Sequence, residues 1–150
     1  MCSAKEMLSR LQSVNDINVL QNMVYEDIKA NEDILRDLKE EEYEQGDIYS
    51  DQSTAMYKTE WYAKIKHEQN PRAGKGIVDL INTGAFVNSL RIPKPKGNKY
   101  LFEATDWKKN VLKKEYGDVL GLKQQTFEDF QVVIIKPLFV DRLQKIINKK

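Results

Sequence analysis

Few residues in this sequence could do chemistry, and none stands in a recognised catalytic spacing. Gly74-Lys75-Gly76 contains part of a phosphate-binding loop, but that loop needs Gly, four residues and then Gly-Lys-Ser/Thr. Ile77 follows Gly76, so the hydroxyl that would hold magnesium is missing. Gly84 likewise lacks the second and third glycines of a dinucleotide-binding loop. We predict no nucleotide site at either place.

Metal-binding and nucleophilic residues are equally sparse. His67 is the only histidine, which excludes a two-histidine metal site, and we interpret it as a surface residue. Cys2 is the only cysteine, so no internal disulfide or thiolate zinc cluster can form, and a reducing cytoplasm is the compartment this favours. Paired acids such as Glu41-Glu42 are too common on helices to indicate a glycosidase or a nuclease. We predict a protein that is not an enzyme and that carries no cofactor and no metal.

One group of lysines could bind a polyanion. Its members cluster in sequence around a predicted hairpin and the helix that follows: Lys94, Lys96, Lys99, Lys108, Lys109, Lys113 and Lys114. DNA phosphates need little more than such a patch, and the binding would be independent of base sequence and sensitive to salt. Contact with an acidic surface on another subunit, or simple solvation of a helix face, would use the same residues. All three interpretations stay open.

Length and composition describe an ordinary globular chain. The 150 residues correspond to one domain, with 31% charged and 41% hydrophobic residues. No apolar run approaches the roughly 20 residues that span a bilayer, and no hydrophobic region follows the first residues. We therefore expect neither membrane insertion nor secretion by a standard signal.

Charge is divided along the chain more strongly than the net value of +1 suggests. Residues 1–60 carry six basic and 14 acidic side chains, whereas residues 61–150 carry 18 basic and nine acidic ones. An acidic front and a basic body suit head-to-tail contacts between copies of one subunit. Two solvated faces would give the same pattern.

The predicted fold is α+β, in one domain with a helical arm over residues 1–45 and an α+β body over residues 46–150. Ser3 and Glu6 form a capping box for a first helix with a stripe at Leu8 and Leu11. Asn15-Asp16 caps a long second helix that extends to Tyr43, and Gly46 closes it.

Residues 86–104 predict an antiparallel β-hairpin. Asn82-Thr83-Gly84 favours a turn before it, because Gly reaches positive φ without steric cost. Apolar residues then alternate with polar ones, and a Pro- and Gly-containing segment at residues 93–98 separates the two strands. The residues expected on one face are Phe86, Leu90 and Ile92 in the first strand, and Tyr100, Phe102 and Ala104 in the second.

The remaining segments predict helices. Tyr57, Trp61 and Ile65 share one helix face, which we assign to the core, with a protein interface as the alternative. Residues 107–116 form a helix with Val111 and Leu112 inward, capped by Thr105 or Asp106 and ended by Gly117. Residues 131–136 are β-branched and suit a strand or a helix equally. A last helix begins near Pro137.

Short motifs follow one another in a distinctive order. They are Gly46-Asp47-Ile48-Tyr49, Val78-Asp79-Leu80, Thr83-Gly84-Ala85-Phe86, Ser89-Leu90, Tyr116-Gly117, Leu120-Gly121-Leu122 and Lys136-Pro137. This order resembles small virion proteins of tailed bacteriophages that infect Bacteroidetes-type hosts, including crAss-like phages. The Thr-Gly, apolar, Ser-apolar element also resembles the wider head-tail connector and tail-completion family. The motif residues are Asp79, Thr83, Gly84, Phe86, Ser89, Tyr116, Gly117 and Gly121.

The resemblance implies a structural subunit of the virion. Such a subunit is made in the host cytoplasm and assembles into a ring of identical copies in the neck or tail region. The ring meets portal or adaptor proteins on one side and tail proteins on the other, and DNA passes through it. The large aliphatic residue that often stands in the family at the position of Phe86 is absent here.

Overall fold

The computed structural model describes residues 4–49, 53–95 and 100–148. Over these residues the chain is mostly helical with a small two-stranded antiparallel sheet, which is broadly the predicted α+β class. In chain order the elements are α1 (Ala4–Val14), α2 (Ile17–Ala30), α3 (Glu32–Glu44), α4 (Glu60–Gln69), a 3-10 turn (Pro71–Ala73), α5 (Ala85–Asn88), β1 (Leu90–Arg91), β2 (Glu103–Ala104), α6 (Lys108–Tyr116), α7 (Gln124–Phe130), a π-helical turn (Gln131–Ile135) and α8 (Lys136–Ile147).

The described residues form two compact units. Unit 1 takes residues from 1–31 and 128–150, and unit 2 takes residues from 32–127. α3, which the sequence analysis grouped with the N-terminal arm, therefore belongs to unit 2.

Unit 1 combines helices from both parts of the chain. α1 and α2 pack on each other, and both pack on α8. Ile28 and Ile135 are buried at the centre, whereas Leu8 and Leu11, which the sequence places on an apolar stripe, are exposed. Arg142 forms an ion pair with the buried Asp27. Burial raises the pKa of the Asp27 carboxyl above its ordinary value, and the charge of Arg142 opposes that rise.

Unit 2 surrounds one apolar core. Its isolated bridge, between Met56 and Ile77, ties the segment before α4 to the segment after the 3-10 turn. α3 packs against α5 and the 3-10 turn. The fully buried apolar side chains include Leu35, Tyr43, Ile48, Val78, Leu90 and Val119.

Several predicted helix boundaries are confirmed. The Asp16 carboxylate accepts the Asn18 N–H at 2.8 Å at the start of α2, and Asp106 accepts the Lys108 N–H at 2.8 Å at the start of α6. Gly46 has φ 82° just past the end of α3. Ser3, the first residue of the capping box predicted for α1, lies outside the described residues.

The predicted long second helix is interrupted at Asn31. The Asn31 side chain donates to the Asp27 carbonyl at 2.8 Å, and its backbone N–H donates to the Ile28 carbonyl at 3.1 Å. Such local bonding by an Asn side chain competes with continuation of the helix. A new helix, α3, then begins at Glu32.

The prediction of a strand starting at Phe86 is wrong, because residues 85–88 form the helical turn α5. Gly84, with φ 72°, lies just before this turn. Phe86 and Val87 are both buried, whereas neighbours in a strand point to opposite faces and one would be exposed. Ser89 closes the turn by donating its side-chain hydroxyl to the Phe86 carbonyl at 2.7 Å.

The rest of the hairpin is confirmed in a shorter form. β1 and β2 pair antiparallel, with Leu90 opposite Ala104 and Arg91 opposite Glu103. Arg91 is exposed, as the alternation requires. The predicted inward residues that are buried are Leu90, Ile92, Phe102 and Ala104. Gly97 and Asn98, in the segment predicted to separate the two strands, lie outside the described residues.

Two predictions about inward-facing helical residues are wrong, and one open choice is resolved. Trp61, assigned to the core, is 74% exposed, and Val111, predicted to point inward, is 53% exposed. The open choice at residues 131–136 resolves as helix, with a π turn that exposes Val132 and Val133 while burying Ile135. Pro137 lies in the first turn of α8, as predicted.

The Gly46→Ala substitution should destabilise unit 2 by about 2–4 kcal/mol, from left-handed strain plus a steric clash. A Cβ on Gly46 would lie 2.5 Å from the Ile77 Cγ2 and 3.2 Å from the Ala73 carbonyl oxygen. Gly84→Ala is the control for strain, because Gly84 also has a left-handed φ, of 72°, and its Cβ position makes only an ordinary contact, 3.6 Å from the Asn88 Nδ2. Denaturant unfolding checks this, and equal losses in both variants would contradict the steric part.

Candidate functional site

Most of the predicted motif residues meet at one cleft in unit 2. This cleft, here called the Asp79 cleft, has a volume of about 220 Å³. Five of the motif residues line it, namely Asp79, Thr83, Gly84, Phe86 and Tyr116. Residues distant in sequence are therefore neighbours in the fold.

The Asp79 carboxylate is bonded at both oxygens. Oδ1 accepts from the Lys66 Nζ at 2.7 Å and lies 3.0 Å from the Tyr57 hydroxyl, while Oδ2 accepts from the Asn70 Nδ2 at 2.7 Å. The Lys66 ammonium also donates to the Ile81 carbonyl at 2.5 Å. We call these four side chains, Asp79, Lys66, Tyr57 and Asn70, the Asp79 network.

Two segments of backbone hold the network in place. The Tyr57 N–H donates to the Gly76 carbonyl and the Val78 N–H donates to the Ala55 carbonyl, both at 2.9 Å. α4 supplies Lys66 from its last turns, and Asn70, just after it, caps the 3-10 turn by accepting the Arg72 N–H. The bonds of the Asp79 side chain thereby join α4 to the segment that precedes α5, to which Asp79 belongs.

The network is buried and electrically paired. The side chains of Lys66 and Asp79 are 9% and 1% exposed. Burial, followed by the nearby Asp79 charge, raises the pKa of the Tyr57 hydroxyl above its ordinary value. The bonds that the buried Asp79 carboxylate accepts hold α4 and the segment that contains Asp79 together. Breaking them would cost free energy, because a buried carboxylate without partners is unfavourable.

The Tyr57→Phe variant should lose about 1–2 kcal/mol of stability at neutral pH, because the hydroxyl bonds to Asp79 disappear. The difference from the wild type should shrink above pH 10. The raised pKa keeps Tyr57 protonated in the folded state while the unfolded state ionises near its model value of 10.0. Its stabilising contribution is therefore complete below pH 10 and is lost as pH rises further. Urea unfolding across this range checks it, and an unchanged difference would contradict it.

A second buried cluster contains the motif residue Gly121. The Lys39 Nζ, fully buried, donates to the Gly121 carbonyl at 2.6 Å and to the Glu42 carboxylate at 3.0 Å. It also lies 4.6 Å from the centre of the Tyr43 ring, whose hydroxyl donates to the Val119 carbonyl at 2.8 Å. Burial lowers the pKa of Lys39 and raises that of the Tyr43 hydroxyl. These bonds fix the segment after α6 onto α3.

The lysine group does not form one patch in the described residues. Lys94 follows β1 toward the closed end of the hairpin, whereas α6 follows its open end. Lys108 lines the Asp79 cleft, and Lys113 and Lys114 are exposed in the last turn of α6. Lys96 and Lys99 lie outside the described residues.

Other candidate chemistry has little geometric support. His67 is half-buried and lines a wide, open cleft with Met56 and Trp61.

Among the described residues, no group of three or more His, Cys, Asp or Glu side chains could hold a metal ion. Within the same residues no helix has the length and apolar character needed to cross a membrane. Cys2 lies outside them.

Comparison with known proteins adds no family assignment. No family model, curated protein or solved structure matches this chain. The resemblance drawn from motif order therefore stays a prediction.

No sequence pattern pointed to the residues that bond to the motif residue Asp79. Lys66, Tyr57 and Asn70 bond to Asp79 across nine to 22 positions, and no local spacing signals those pairings. Lys39 could have been recognised, because it shares a helix face with Leu35 at i, i+4.

Proposed function

We propose that this chain is a structural virion protein, a ring-forming head-tail connector or tail-completion subunit. It would join portal or adaptor proteins to tail proteins and let DNA pass. The order of the motifs supports this proposal, and so does their convergence at the Asp79 cleft. In this role the Asp79 network braces a subunit rather than performing a reaction.

The observation that carries the proposal is the exposure of large apolar side chains on unit 2. Trp107 is 72% exposed, and Leu101 and Val111 are more than half exposed. Tryptophan is enriched at protein interfaces, and burying such residues between copies would remove them from water. An assembled form accounts for these residues better than a solitary one.

A ring also needs two different surfaces on each subunit. Heterologous contacts close only when the rotation from one copy to the next divides a circle. The acidic first part and the basic remainder of the chain are candidates for complementary surfaces. We further propose that the long N-terminal helices pack across a neighbouring subunit.

Two measurements test the proposal. Light scattering and electron microscopy of the purified chain at virion-like salt should show a closed ring, and mass spectrometry should find the chain in purified particles. A solely monomeric chain that is also absent from particles would overturn the proposal.

A second candidate is a small non-specific nucleic-acid-binding protein. The exposed Lys113 and Lys114 on α6 favour it. This alternative predicts binding to any duplex, with an affinity that falls steeply as salt rises. Fluorescence anisotropy with duplexes of unrelated sequence measures it, and absence of binding at low salt excludes it.

A further inference from the structure

We propose that α6 of one copy docks on α3 of the next copy, an inference that rests on the proposed ring-forming function. The α6 face consists of Trp107, which directly precedes the helix, with Val111, Lys113 and Lys114. The α3 face consists of Asp33, Ile34, Asp37 and Glu41. Each combines exposed apolar surface with exposed charges, lysines on α6 and carboxylates on α3. Glu115, one turn from Val111 on α6, is paired with Lys58.

The α6 face points away from its own unit. Lys108, Leu112 and Tyr116 recur every four residues and line the Asp79 cleft, so they form the inner side of α6. Trp107 and Val111 are one turn apart and are 72% and 53% exposed. No residue of α6 is buried. A large apolar side chain at the start of the helix, Trp107, is thus exposed on its outward side.

Lys114 borders this apolar stripe at i+3 from Val111, and Lys113 lies farther round the outward half of α6. Lys113 and Lys114 are exposed, and among the described residues neither forms an ion pair. An apolar stripe beside two cations suits a partner that offers apolar contact and carboxylates together. A DNA backbone offers phosphates but no apolar surface for Trp107 and Val111, so the geometry favours protein.

The α3 face has the complementary composition. Asp33, Asp37 and Glu41 recur every four residues, and Ile34 is exposed beside them. The opposite side of α3 carries the buried Leu35 and Lys39. Arg36 pairs with Asp33, and Arg72 lies 3.7 Å from Glu41. Asp37 has no ion-pair partner within the described residues.

The two faces cannot satisfy each other within one molecule. α3 and α6 both belong to unit 2, and both faces are exposed there. Their contact therefore needs a second copy. When each copy gives its α6 face to one neighbour and its α3 face to the other, the contact is heterologous. This is the type of contact from which a ring is built.

The first test compares two tryptophans of nearly equal exposure. Trp107→Ala should raise the protein concentration at half-assembly at least tenfold, as expected for a buried aromatic anchor. Trp61→Ala is the matched control and should change it less than about threefold. Both substitutions are at exposed positions, so circular dichroism should show an unchanged fold. Assembly lost with Trp61→Ala but kept with Trp107→Ala would overturn the inference.

The second test exchanges the charges. Lys113→Glu with Lys114→Glu should weaken assembly at least tenfold, and so should Asp37→Lys with Glu41→Lys. Combining all four changes should restore assembly to within about threefold of the wild type, because each contact again joins opposite charges. Lys64→Glu with Lys75→Glu makes the same charge change elsewhere on unit 2 and should leave assembly intact.

The outcomes separate the inference from the proposed function. Wild-type rings that survive both Trp107→Ala and the charge reversals would overturn the inference alone. Intact assembly with weakened duplex binding in the lysine variant would assign α6 to DNA instead. A wild-type chain that never assembles would overturn both proposals.

Discussion

Replacing Asp79 with alanine should lower the free energy of unfolding of unit 2 by about 3–5 kcal/mol, because it leaves the buried Lys66 ammonium without its carboxylate. The change also removes one of the acceptors of the Asn70 amide and one of those of the Tyr57 hydroxyl, whose backbone acceptors remain. Both tryptophans of the chain, Trp61 and Trp107, lie in unit 2, so their fluorescence during urea unfolding reports on this unit.

Two further variants make this prediction specific. Asp37→Ala removes an exposed carboxylate and should change stability by no more than about 0.5 kcal/mol. The double variant Lys66→Met with Asp79→Leu removes both charges and should be more stable than Asp79→Ala alone, because no unpaired charge stays buried. If Asp79→Ala behaved like Asp37→Ala, the network would not be what holds the cleft.

Lys39→Met should have a similar cost, about 3–5 kcal/mol, although methionine has nearly the same length. The Glu42 carboxylate would lose its buried counter-charge, and the Gly121 carbonyl would lose its donor. The segment after α6 would then be held to α3 by the Tyr43 hydroxyl and by the Lys123 N–H, which donates to the Glu42 carboxylate at 3.1 Å. Urea unfolding followed by tryptophan fluorescence measures the loss.

The control for Lys39→Met is the same substitution at the exposed Lys64, which should change stability by at most about 0.5 kcal/mol. Faster amide exchange in residues 118–123 should accompany Lys39→Met, since that segment loses its anchor. Unchanged exchange there would contradict the anchoring role even if overall stability fell.

Local chemistry predicts the element boundaries well. Asp16 and Asp106 cap the starts of helices with their carboxylates, and Gly46 takes a positive φ just past the end of one. Those boundaries are confirmed. The error at Phe86 arose because alternation is ambiguous over a few residues. Only packing of both Phe86 and Val87 into the core decides for a helical turn there.

The candidate site is less predictable from sequence, for a physical reason. Asp79, Thr83 and Gly84 stand close together in the chain, so a local motif can point to them. The position of Asp79 depends on bonds from Lys66 and Tyr57. These two residues lie in α4 and in the segment before it, and only the tertiary fold places them beside Asp79. Buried charges such as Lys39 are uncommon, because lysine side chains are usually exposed to solvent.

The division of the chain has a consequence for synthesis on the ribosome. Unit 2 is continuous, so all of its residues have been translated before α8 is made. Unit 1 requires α8 to pack on α1 and α2, which are made about 100 positions earlier. The bundle of the first two helices with α8 therefore cannot close until α8 has been made, by which point every residue of unit 2 has already been translated.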